Sequence, residues 1–153
     1  MATQTGRTLK LVWAGAAIVF AHGATFAEPV RNGFDLAGAL VPVEEILQGG
    51  PPKDGIPAID HPNFVGARDA THLRPDDVVL AIFRNGIAKA YPIRILNWHE
   101  VVNDRFGAED IVVTFCPLCG SGVAFEARSA GRALRFGVSG LLYNSDVLLY
   151  DRE

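Results

Sequence analysis

The dipeptide Asn85-Gly86 is the feature that most narrows what this chain can fold into. Two β-prone runs, residues 78–83 and 87–91, flank it. Asn and Gly both tolerate positive φ, which a type I′ turn demands at its two central positions. The pattern predicts a tight hairpin, and with it an antiparallel sheet. The stretch "PIRILNWHEVVND" follows at once. Pro92 suits a helix start, and apolar residues recur at helical spacing on two sides, so the spacing predicts a buried principal helix with a stop at Gly107. "VPVEEILQGG" reads as a shorter helix, with Pro42 in its first turn, Glu44 and Glu45 at the positive end of the dipole, and Gly49 after its end. The Gly- and Pro-rich "GGPPKDGIP" between these elements reads as an ordered surface loop.

The second half is richer in strand signals. Residues 110–115 form a strand that runs directly into Cys116. Residues 122–127 and 133–138 are expected to pair as a hairpin across "RSAGR", and residues 147–150 begin a last strand. The expected fold class is therefore α+β, mostly antiparallel β-sheet with one principal helix.

Both cysteines lie in "TFCPLCGSGVAF", as Cys116 and Cys119. In thioredoxin-type sites the first cysteine of C-x-x-C opens a helix whose dipole stabilises the thiolate. Here Gly120 and Gly122 follow closely, and two glycines in three residues oppose a helix. Strand, turn and strand around C-P-x-C-G instead describe a β-knuckle, which presents two sulfurs to one metal such as zinc, iron or copper. One knuckle supplies two ligands, and His99 is the best-placed third ligand, lying in the helix before the cysteine strand. The alternative for His99 is a core imidazole bonded to backbone. His61 and His72 fall in polar stretches and read as surface residues. Copper(I) lacks its usual thioether partner, because Met1 is the only methionine. Without metal, an exported pair closes as a disulfide or serves thiol exchange. The residues leave three roles open: a metal centre, a thiol-disulfide oxidoreductase, and a stapled turn in an interaction module. Asn144, Ser145 and Asp146 form a turn between apolar runs, or line a polar pocket near the cysteines.

The N-terminus bears on compartment. Arg7 and Lys10 precede an apolar run, and "TFA" ends at Ala27 with small residues where a signal peptidase reads. Residues 1–27 are expected to be a cleaved signal peptide, with residues 28–153 forming one exported domain, periplasmic or extracellular. The apolar run is short for a bilayer span, so no stable span is expected after cleavage. Losing Arg7 and Lys10 takes the basic residues from 14 to 12 against 17 acidic ones, a net charge of −5. With scattered basic residues, nucleic acid is excluded as a partner class. P-loop, dinucleotide-binding and H-E-x-x-H motifs do not occur, and "GVSG" lacks the spacing of a nucleophile elbow.

Four stretches in order, "GGPPKDGIPAID", "AYPIRILNWHEVVND", "VTFCPLCGSGVAF" and "RFGVSGLLYNSDVLLYDRE", resemble the bacterial DUF3179 family, a domain of unknown function. The resemblance implies an exported or envelope-associated protein and no particular reaction. It places the family's recurring polar positions at His99, Glu100, Cys116, Cys119, Asn144 and Asp146. It also implies a further β-rich segment after "YDRE", hence the expectation of a C-terminally shortened domain that self-associates through its last strand.

Overall fold

The computed structural model describes residues 29–153. The predicted signal peptide, residues 1–27, lies outside the described residues. In chain order the elements are β1 (Val30–Arg31), β2 (Phe34–Asp35), a 3-10 turn (Val43–Glu45), β3 (Leu47–Gln48), β4 (Val79–Arg84), β5 (Ile87–Pro92) and α1 (Ile93–His99). Then come β6 (Val101–Phe106), β7 (Glu109–Cys116), β8 (Ser121–Glu126), β9 (Arg128–Ser129), β10 (Arg132–Ala133), β11 (Phe136–Tyr143) and β12 (Asp146–Asp151). Every strand ladder is antiparallel, and α1 is the only α-helix among the described residues.

The Asn85-Gly86 hairpin forms as its chemistry requires. Arg84 pairs with Ile87, and φ is 53° at Asn85 and 76° at Gly86. Strand side chains alternate between faces. Leu80, Ile82, Ile87 and Tyr91 therefore turn to the core, while Val79, Ala81, Phe83, Ala88 and Ala90 stay exposed.

The principal helix is shorter than its periodicity predicts. It ends at His99, and Val101–Phe106 is strand β6, not helix. The handover falls on Glu100, a left-handed C-cap with φ 57°. Its N–H donates to the Leu96 carbonyl as the last helical bond, and its carbonyl accepts from Phe115 N–H, a bond from β7. Val101 and Val102 then gain more from pairing with β7 than from another helical turn, since both become fully buried. Leu96 is the buried residue of α1, whereas Trp98 is 77% exposed, so the helix is buried along one side only.

Two further expectations are corrected. "VPVEEILQGG" makes a single 3-10 turn at Val43–Glu45, and Leu47–Gln48 extends to pair with β11. The hairpin across "RSAGR" is reduced to the short β9–β10 ladder, because β8 pairs with β7 and β11 pairs with β12 and β3.

The sheet β6-β7-β8 lies at the centre of the packing and is covered on both faces. One face puts Val102, Phe106, Ile111, Val113 and Phe115 against Tyr91 and Leu96. The other puts Val101 and Val112 against Ala127 and Val138, with Phe136 and Leu149 beside them. Cys116 shares this second face by the period of two along β7. The outer sheet β12-β11-β3 carries a bulge between Val138 and Leu141. Gly140 sits there at φ 71°, where a Cβ would run into the Pro51 carbonyl and the Asn32 amide, so only glycine fits.

Candidate functional site

Two hairpin ends meet at the cysteines. Strand β7 delivers Cys116, and the pairing of Cys116 with Ser121 leaves Pro117–Gly120 as a four-residue turn. Gly120 closes it at φ 64°, donating its N–H to the Cys116 carbonyl at 2.8 Å. This is the reversal without helix that the glycines predict. The Gly120 N–H satisfies a backbone carbonyl, and the turn brings the two cysteines close together. Cys116 is buried and Cys119 exposed.

The second end is the turn between β11 and β12. Tyr143 pairs with Asp146, and Asn144 and Ser145 take φ values of 49° and 64°. Positive φ is uncommon at a non-glycine residue and unusual at serine. The turn is held against the cysteines: the Cys119 thiol donates to the Ser145 carbonyl at 2.9 Å. Asp146 follows, and one donor atom each from Cys116, Cys119 and Asp146 lies within 4.8 Å of the others. Residues 144–146 thus form the expected turn, set beside the cysteines, and none of the three lines the small cavity next to it.

Both thiols are free, with the sulfurs 2.7 Å apart. Two thiolates on a tetrahedral ion with bonds of about 2.3 Å would stand roughly 3.8 Å apart. The Cys119 thiol is pushed up to about 11, first by its hydrogen bond to Cys116, then by desolvation, and further by the nearby Cys116 and Asp146 charges. It therefore keeps its proton at neutral pH and acts as a donor.

His99 occupies another place. It ends α1, its Nδ1 lies 2.8 Å from the Pro57 carbonyl, and it is not among the three converging donors. His61 and His72 are exposed. Glu100 is a residue that helix periodicity misplaces. A left-handed glutamate has no turn signature, yet its conformation sets it at the wall of a small cavity of about 50 Å³ that Cys116, Pro117, Val138 and Val147 also line. Burial raises its carboxyl above the ordinary range.

This arrangement defines a class: a mostly antiparallel domain with a two-cysteine turn docked on a neighbouring hairpin. The model of a protein family of unknown function, DUF3179, matches residues 53–153, and the chain belongs to that family. The match spans β4 to β12 and so includes both turns of the site. No curated protein and no solved structure matches the chain. No helix among the described residues is long and apolar enough to cross a membrane.

Proposed function

We propose that this chain is an exported single-domain protein that holds a transition metal through Cys116, Cys119 and Asp146. The observation that carries the reading is the convergence of these three donors from two separate turns. Two thiolates and a carboxylate form a ligand set that zinc accepts, and three protein ligands leave a fourth position for water or substrate. The carboxylate favours zinc or iron over copper(I), which prefers soft donors. Asp146 takes the third place expected of His99, whose Nδ1 is engaged by the Pro57 carbonyl. Metal would release the Cys119 proton, so binding would tighten as pH rises.

A thiol-disulfide oxidoreductase is the second reading, favoured by the free, adjacent sulfurs and the exposure of Cys119. Its weakness is the attacking group. Cys119 at about 11 is thiolate in only about one molecule in ten thousand at pH 7, and Cys116 is buried.

Zinc titration of chelator-treated, reduced protein tests the proposal. The expected result is one zinc per chain. Asp146→Asn should weaken binding about tenfold or more, Cys116→Ser should abolish it, and His99→Gln should leave it within about twofold. A quantitative Cys116–Cys119 disulfide in protein isolated from the periplasm with zinc present would sink the metal reading. Export itself predicts an exported chain whose intact mass begins at Glu28.

A further inference from the structure

Among the described residues the β4–β5 sheet has two strands, and no strand lies beside the outer edge of β5. Which backbone groups face that edge follows from the ladder. Ile93 N–H donates to the Val78 carbonyl at 3.0 Å, which makes this pair hydrogen-bonded. In an antiparallel ladder hydrogen-bonded pairs alternate with non-bonded ones. Tyr91 with Leu80, Lys89 with Ile82 and Ile87 with Arg84 then exchange the bonds, and Ala88 and Ala90 turn their N–H and C=O groups outward. Both alanines are exposed, and no backbone bond from either to a residue outside the ladder occurs among the described residues.

This edge borders the larger of the two sizeable cavities, about 750 Å³, whose walls include Ile59, Phe64, Leu73, Ile82 and Val102. Lys89 is the only lysine, arginine or carboxylate residue on the wall. Its ammonium is closed by both Asp104 oxygens at 2.7 and 2.8 Å and by the Arg105 carbonyl, and it stands 4.5 Å from the centre of the Phe64 ring. Apart from the His72 imidazole the cleft therefore has no charge to offer, but it presents two donors and two acceptors at the two-residue strand repeat of about 6.8 Å. An apolar small molecule would fill the volume and leave those groups without protein partners. An extended chain satisfies both requirements.

We propose that the outer edge of β5 binds an extended, uncharged peptide segment of a partner protein by strand addition, with alternate apolar side chains entering the cleft. A second copy of this chain fits less well. Its own six-residue edge strands all carry charge: Arg84 on β4, Lys89 on β5, Asp104 and Arg105 on β6, Glu126 on β8, and Asp146 and Asp151 on β12.

The probe is the blocked hexapeptide acetyl-Thr-Val-Thr-Val-Thr-Val-amide, titrated into the chain and followed by the backbone amide signals of Ala88 and Ala90. Saturable shifts at both are expected. N-methylating one alternate set of peptide amides should weaken binding about tenfold or more, and methylating the other set should leave it within about threefold, because only one set faces the edge. Ala90→Pro removes an outward N–H from an edge strand and should weaken binding about tenfold. Val65→Asp, at an exposed wall position, should weaken it about fivefold with unfolding unchanged, so the proposal stays testable if the proline variant misfolds. Equal binding of the two methylated peptides, or no saturation, overturns the proposal. So does a dimer of the chain that Ala90→Pro disperses, which would assign the edge to a second copy.

Discussion

Replacing Asp104 with alanine should be among the most damaging single changes outside the apolar core. Its carboxylate accepts from Lys89 Nζ through both oxygens, from the Tyr91 hydroxyl at 2.5 Å and from the Arg105 backbone N–H at 2.7 Å. The side chain is only 7% exposed and that of Lys89 18%. The variant leaves an ammonium with one carbonyl and two aromatic rings for company, and a buried phenol without its acceptor. Removing one member of a buried ion pair costs about 3–5 kcal/mol, and an unsatisfied buried hydroxyl about 1–3 kcal/mol. Lys89 retains some solvent, which favours the lower end, about 4 kcal/mol in all. Urea unfolding should show a lower midpoint at unchanged slope. Adding Lys89→Met should restore about 1–2 kcal/mol by removing the stranded charge. Arg84→Ala is the control, since the Arg84 pairs with Glu109 and Glu126 are exposed and worth about 0–1 kcal/mol. A loss for Asp104→Ala no larger than that of the control would refute the reasoning.

Burial, and then the Asp104 contact, raise the Tyr91 hydroxyl far above its ordinary value. A raised folded-state pKa gives stability that is present below about pH 10 and lost as pH rises further. Melting temperatures above pH 10 should therefore fall more steeply in the parent than in Tyr91→Phe. Glu100→Gly should raise stability by about 1 kcal/mol, because glycine takes the left-handed cap without strain and removes a partly buried carboxyl; calorimetry showing a lower melting temperature would assign the carboxyl a compensating contact. Gly120→Val should weaken zinc binding although nothing crowds the site, since a β-branched residue resists φ 64°; unchanged affinity would show that the turn geometry does not matter to the metal.

The sequence-based reading succeeds where a few adjacent residues decide the structure. Asn85-Gly86 sets a turn by its own backbone freedom, and the β-branched run before Cys116 sets a strand. Reading falters where distant partners compete. Val101–Phe106 satisfies helical spacing equally well, and only β7, brought alongside, makes it a strand. Likewise residues 122–126 carry no mark of which neighbour they join, and their partner in the fold is β7, not β11. At the site, the cysteine turn is local and legible. Its third donor is not, because Asp146 arrives through the folding of another sheet, whereas His99 lies nearer in the chain and is held by Pro57.

The meeting of two hairpin tips has a thermodynamic consequence. Cys119 belongs to the turn joining β7 and β8 of the central sheet, and Ser145 and Asp146 to the turn of the outer one. An ion held as proposed would bind only when both sheets are in place, so its occupancy and folding would be linked. Free metal at a hundred times its dissociation constant adds about 2.7 kcal/mol to the folded state. Linkage is reciprocal: a change that loosens β11 against β7, far from the three donor atoms, would lower the affinity for such an ion by the fraction of molecules whose tips have parted. Metal supply in the compartment would then govern how long the chain survives proteolysis as well as whether its site is filled.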